Sequence, residues 1–217
     1  MSDVSSLQKL RYGYQPKLPS LFARPGLKVK AVEGPATSSV GQPDTIRPLF
    51  AHTFGRPIVT FQAGGSADAK PLKVGVLLSG GQAPGGHNII SGLFDALKKH
   101  HPESRLFGFE NGPGGLVKNK HREIDAALVD RYRNTGGFDM IGSDRTKLES
   151  EEKHIIPAME NCKALGLNAL VIVGGDDSNT NAGTFAEYLL KKKSQLLVIG
   201  CPKTIDGDLK NEYVETS

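Results

Sequence analysis

Beyond residue 70, apolar residues gather in short continuous runs, and most of these runs lead into a polar turn bearing glycine. Val74-Gly75-Val76-Leu77-Leu78 and Ala169-Leu170-Val171-Ile172-Val173 have the length and β-branched content of strands covered on both faces. Leu196-Leu197-Val198-Ile199 is a third such run, and Leu106-Phe107-Gly108-Phe109 is a weaker fourth. The segments between them change period. Ile89, Ile90, Leu93, Phe94 and Leu97 fall on one face of a helix, as do Ala182, Phe185, Ala186, Leu189 and Leu190. Strand, turn, helix, strand is the βαβ rhythm. It predicts an α/β fold of Rossmann-like, three-layer form, with a parallel sheet and helices on both faces. Glu151 to Leu165 also reads as a helix, with Ile155, Met159 and Cys162 on one face. Pro157 lies inside it and would kink it unless it sits in the first turn, so that boundary stays open.

Residues 1–70 follow no such rhythm and hold seven of the chain's 13 prolines. They read as an extended, loop-rich arm that wraps a neighbour or a later part of the fold, with disorder as the alternative. Residues 71–217 then form the α/β domain.

Composition narrows the picture. Of 217 residues, 38% are hydrophobic, enough to fill a core. No run of 18 apolar residues occurs, and the first residues lack the charged-then-apolar pattern of a secretory signal, so neither a membrane span nor export is predicted. Two cysteines, Cys162 and Cys201, argue against a disulfide framework and for the cytoplasm. The net charge of +4 is mild. Its densest run, Lys191-Lys192-Lys193, reads as a solvated helix end rather than a nucleic-acid patch, so no nucleic-acid partner is predicted.

The candidate chemistry lies in three turns. Open parallel sheets bind ligands outside the carboxyl ends of their strands. Ser79 to Gly86, Gly174 to Ser178 and Gly200 to Asp208 all occupy such ends. In the first, Gly80 and Gly81 would let backbone N–H groups approach a phosphate ahead of a helix N-terminus. The spacing matches neither a P-loop nor the dinucleotide fingerprint, so alone it reads equally as a structural turn. His87, in the first turn of that helix, reads as a capping or packing residue. In the second turn, Asp176 and Asp177 precede a helix. N-capping would account for Ser178 and one aspartate, while a carboxylate pair at a phosphate site would hold Mg²⁺. The third turn, Pro202-Lys203-Thr204-Ile205-Asp206-Gly207-Asp208, brings a compact cation and two carboxylates together. Phosphoryl transfer needs a cation on the phosphoryl oxygens, a metal, and a carboxylate to accept the hydroxyl proton.

These motifs together resemble those of the phosphofructokinase family: Ser79-Gly80-Gly81-x-x-Pro84-Gly85, then Gly174-Gly175-Asp176-Asp177-Ser178, then Pro202 to Asp208. The similarity is closest to the long, pyrophosphate-dependent branch, and it runs from about residue 72 to the end. The opening, Leu7-Gln8-Lys9-Leu10-Arg11-Tyr12 with Tyr14-Gln15-Pro16, resembles the arm of that branch, especially of its regulatory-type subunits in plants. The resemblance implies a reversible, glycolytic, allosterically controlled transfer of a phosphoryl group from pyrophosphate to the 1-hydroxyl of fructose 6-phosphate, with Mg²⁺. It implies that Gly80, Gly81 and their neighbours cradle pyrophosphate and that Asp176 supports Mg²⁺. Lys203 would stabilise the transferring group and Asp206 would be the base. Arg145 would contact phosphate, and Thr204, Ile205 and Asp208 would lie in the sugar-phosphate segment. Asp177 would set the donor. ATP-using relatives have glycine there, and a carboxylate would oppose the α-phosphate of a nucleotide by a few kcal/mol (order of magnitude) at short range. A GGD turn also occurs in ATP- and NAD-type kinases; Asp177 and Lys203 argue against both. Family members continue for several hundred residues past the position of Ser217. The resemblance therefore implies a fragment that joins full-length subunits in a homo- or hetero-oligomer, or alternatively a truncated or regulatory-type subunit without activity of its own.

Overall fold

The structure, a computed structural model, describes residues 4–23, 28–65 and 70–206. The chain divides into two compact units, Met1–Lys70 and Pro71–Ser217.

In the first unit, α1 (Ser6–Gly13) begins where the Ser5 hydroxyl accepts from the Gln8 N–H at 3.2 Å, an N-cap. α2 (Ser20–Ala23) is a single turn. β1 (Val29–Ala36), α3 (Pro43–Leu49) and β2 (Pro57–Ala63) follow. β1 and β2 pair antiparallel, from Val29 opposite Ala63 to Ala36 opposite Pro57, with an irregularity between Glu33 and Ala36. The extended, loop-rich reading of this region overlooks the ribbon. The physical reason is that neither strand alternates apolar and polar residues, because neither has a buried face.

The second unit runs β3 (Lys73–Ser79), α4 (Gly86–His100), β4 (Arg105–Phe109), α5 (Gly112–Val117), β5 (His121–Ile124), α6 (Ala126–Tyr132) and β6 (Ser143–Asp144). A π-helical turn, Glu151–Ile155, leads into α7 (Ile156–Leu165), followed by β7 (Ala169–Gly174), α8 (Asp176–Lys191) and β8 (Leu197–Pro202). The sheet order is β5-β4-β3-β7-β8, with β6 pairing at the end of β3. Every pairing is parallel except β4 with β5. The predicted α/β architecture therefore stands, with one antiparallel edge strand added.

The continuous apolar runs have a direct cause. Successive residues of β3 and β7 point into two different cores. Leu77, Leu170 and Ile172 join Ala158, Cys162, Phe185 and Leu189 from α7 and α8 on one face. Val76, Leu78, Val171 and Val173 join Ile90, Phe94 and Leu97 from α4 on the other. Each such side chain contributes about 1.5–3 kcal/mol when fully buried, so the positions of the central strands that face these cores are apolar.

Pro157 falls at the start of α7, directly after the π turn. The wider turn carries Ile155 N–H to Ser150 O at 3.1 Å and Ile156 N–H to Glu151 O. The proline thus sits where an amide donor is dispensable. β8 runs on to Pro202, so Gly200–Pro202 belong to the strand rather than to the turn. A proline is tolerated there because β8 is the outer strand of the described sheet. No helix among the described residues is long and apolar enough to cross a membrane.

Candidate active site

β3, β7 and β8 are consecutive in the sheet, so the three turns that follow them lie side by side at its carboxyl edge. The first turn leaves β3 at Gly80, whose φ of +84° belongs to the left-handed region. The Gly80 N–H donates to Asp144 O at 2.8 Å, and the Ser143 hydroxyl donates to Gly80 O at 3.1 Å. The amide of Gly80 is therefore engaged and does not serve as the predicted cradle donor. Arg145 stands alongside: a Cβ built on Gly81 would lie 3.3 Å from its Nη2. The start of α4 is also partly engaged. Gly85 N–H donates to Gly136 O at 2.8 Å and His87 N–H to Gly137 O at 2.9 Å, which narrows the anion-binding potential of this helix N-terminus.

The second turn is pinned from three sides. The Ser178 hydroxyl, buried, donates to the Ser79 hydroxyl at 2.9 Å, tying the start of α8 to the end of β3. Asn179 Nδ2 donates to Gly174 O at 2.8 Å and to Gly175 O at 2.7 Å. The cap of α8 is Gly175 and no side chain caps it, so the capping alternative for the aspartates does not hold. Asp176 and Asp177 are both exposed in the first turn, where the helix dipole favours negative charge. Asp176 Oδ1 accepts from the Asp177 N–H at 2.8 Å.

The third turn bridges the other two. The Lys203 N–H donates to Gly174 O at 2.8 Å, and its Nζ donates to Gly81 O at 2.5 Å. The ammonium also lies 4.8 Å from the centroid of the Phe138 ring. Burial pushes the Lys203 pKa below the ordinary lysine value; Asp206 opposes this shift, and the Arg145 charge adds to it. The Asp206 N–H donates to Thr204 Oγ1 at 3.0 Å, its carboxylate is exposed, and Ile205 is 73% exposed. Asp208 lies outside the described residues. The geometry brings together Gly81, Arg145, Lys203 and Asp206. Asp176 and Asp177 are held to this group through the backbone of Gly174 and Gly175.

Sequence reasoning did not single out Asp144, although it immediately precedes Arg145. Its carboxylate accepts from Gly114 N–H at 3.1 Å and Thr146 Oγ1 at 2.7 Å, while its carbonyl takes the Gly80 amide. His87 is a packing residue, as expected, but an unusually connected one. Its side chain is 1% exposed, Met140 N–H donates to Nε2 at 3.0 Å, and Nδ1 meets Thr135 Oγ1 at 2.6 Å. Thr135 Oγ1 in turn donates to Tyr132 O at 2.6 Å, so it must accept from Nδ1–H and the ring is neutral. Burial pushes the His87 pKa down; Asp139, 3.2 Å away but 75% exposed, opposes this only weakly.

Polar turns converge at adjacent strand ends of a largely parallel sheet, the position at which open α/β sheets bind ligands. The family described as phosphofructokinase matches residues 73–214, and the chain belongs to that family, as its three motifs predict. Among curated relatives, it is 52% identical over 214 residues to the pyrophosphate–fructose 6-phosphate 1-phosphotransferase of Porphyromonas gingivalis, covering 98% of this chain and 38% of that one. It is 48% identical to subunit beta 2 of the enzyme of that name from Arabidopsis thaliana, covering 100% of this chain and 38% of that one. Against subunit alpha from Solanum tuberosum the identity is 40%, covering 99% and 36%. The solved pyrophosphate-dependent phosphofructokinase of Marinobacter aquaeolei shares the fold, with a TM-score of 0.56 at 22% identity over 64% of this chain and 35% of that one. The chain thus spans well under half the length of the curated relatives it matches.

Proposed function

We propose that this chain carries the phosphoryl-donor side of a reversible phosphotransferase that uses pyrophosphate to phosphorylate the 1-hydroxyl of fructose 6-phosphate. The observation that carries the proposal is the double anchorage of Lys203, through its amide to the second turn and through its ammonium to the first. Two cations, Lys203 and Arg145, then face the glycine turn from which unengaged amides would meet phosphate oxygens. The relatives' names supply the reaction to which this arrangement is suited.

In this reading Asp206 takes the proton of the 1-hydroxyl as its oxygen bonds to phosphorus, and the bond to the departing phosphate breaks. Lys203 and Arg145 offset the charge on the transferring group. Thr204, Ile205 and Asp208 belong to the sugar-phosphate side. Asp177 occupies space and carries charge that a nucleotide's α-phosphate would meet, so it selects pyrophosphate over ATP. No group of three or more His, Cys, Asp or Glu among the described residues could hold a metal ion by itself. The exposed carboxylate of Asp176 nevertheless fits Mg²⁺, which binds through one or two carboxylates with the remaining positions on phosphates and water. Mg²⁺ bound there would neutralise diphosphate charge. The rest of the sugar site, in this reading, comes from further chain or from other subunits, in keeping with plant relatives named as alpha and beta.

The test is the donor preference. Titration with magnesium pyrophosphate and magnesium ATP should show binding of the former in preference, and Asp177→Gly should weaken that preference and admit ATP. A coupled assay with fructose 6-phosphate should show the same reversal in turnover. Donor preference unaltered in Asp177→Gly would refute the assignment.

A further inference from the structure

We propose that Phe138 is a positioning residue for Lys203, a rigid aromatic platform that holds the ammonium over the first turn. This rests on the pyrophosphate reading of the site and extends it to a residue outside the three turns.

The Phe138 ring is 1% exposed and belongs to the core that also contains Val76, Leu78 and Ile90. Gly86 packs so closely against it that a Cβ there would collide with the ring, which fixes the ring against the first turn of α4. The backbone around it is clamped as well. Gly136 O and Gly137 O accept from Gly85 and His87, and His87 accepts from Met140 N–H, so residues 136–140 are bolted to the start of α4 at both ends. The Lys203 ammonium lies over this ring, 4.8 Å from its centroid.

A cation needs such a support here. A flexible four-carbon stem does not fix its own head group, and Arg145 repels it. The negative face of a buried ring attracts a cation without supplying a competing anion, and the attraction strengthens where water is excluded. A carboxylate in the same place would pair with Lys203 and withdraw it from phosphate. Phe138 can hold the ammonium and still leave it free to meet phosphoryl oxygens, with Gly81 O as its partner before ligand arrives.

The experiment compares Phe138→Leu, which keeps an apolar side chain, with Phe138→Tyr, which keeps the ring. Amide fingerprint spectra establish that both fold. In the parent chain with isotope-labelled lysine, the Lys203 methylene resonances should be shifted upfield by the ring. The shift should vanish in Phe138→Leu and persist in Phe138→Tyr. Pyrophosphate affinity should fall by about threefold to tenfold in Phe138→Leu, as expected for one cation–π contact. In a Lys203→Met background the same change at Phe138 should have little further effect. Unshifted Lys203 resonances in the parent chain would overturn the proposal. So would an equal loss of affinity from Phe138→Leu with and without Lys203. Absence of pyrophosphate binding by the parent chain would instead sink the proposed function, while the lysine resonances would still decide whether the platform exists.

Discussion

Burial keeps His87 neutral in the folded chain, and a pH dependence follows. Its folded pKa lies below the ordinary histidine value, so as pH falls the unfolded chain takes up a proton before the folded one does. The contribution to stability is complete above about pH 6.5 and is lost as pH drops from there through the lower folded value. Urea midpoints on either side of that window should show the loss, and His87→Ala should flatten it. The same variant should cost about 1–3 kcal/mol at neutral pH, because the Met140 N–H loses its acceptor. A second expectation concerns Asp206. If Asp206 is the base, as proposed, Asp206→Asn should lower kcat by about 10²–10⁴-fold and leave pyrophosphate binding nearly unaltered; retained turnover would show that another group is the base. The two residues differ in how legible they were. Asp206 stands in a motif whose residue types already spell out a chemistry. His87 looks like any histidine near a helix start. Its role depends on Thr135 and Met140, which are adjacent to it only in space.

The central strands β3 and β7 and the long helices α4 and α8 were readable because each repeats one physical demand many times over, whereas β5 and β6 are too short to do so. Val74 to Leu78 of β3 and all of β7 carry no polar side chain, and α4 and α8 each need a stripe. α5 was illegible for the opposite reason. Its sequence, Gly112-Pro113-Gly114-Gly115-Leu116-Val117, has the composition of a loop. Packing overrides propensity: a Cβ at Gly115 would collide with Glu110 O, one at Gly114 with the Asp144 carboxylate, so only glycine fits. Asp144 is what pays for the helix, receiving N–H bonds from Gly114 and Thr146 as well as the Thr146 hydroxyl. Asp144→Ala should therefore destabilise the chain by about 1–3 kcal/mol, the range for leaving a buried donor without an acceptor. Asp144→Asn keeps one oxygen and should cost less. Equal stability of all three in denaturant titrations would mean that the carboxylate is dispensable to α5. β1 and β2 escaped prediction differently, since a ribbon without a buried face leaves no apolar period to read.

At the scale of the molecule, the division into Met1–Lys70 and Pro71–Ser217 decides where ligand energy should appear. The three turns belong wholly to the second unit, on strands β3, β7 and β8. A ligand that binds only the folded state adds RT ln(1 + [L]/Kd) to stability, about 2.7 kcal/mol at a hundredfold excess over Kd. If the site is as proposed, magnesium pyrophosphate should slow amide hydrogen exchange in β3, β7 and β8 by up to the corresponding factor, about a hundredfold. Exchange in the ribbon of β1 and β2 should stay as it was, because none of the proposed ligand contacts lies there. Lys203→Met should abolish most of the protection in the second unit, since it removes the ammonium that joins the first turn to the third. The distribution of the effect is more telling than its size. Protection spread evenly over both units would point to pyrophosphate acting as a general ionic stabiliser. Protection confined to β1 and β2 would place the anion site in the first unit and dissolve the link between the glycine turn, Lys203 and phosphoryl transfer.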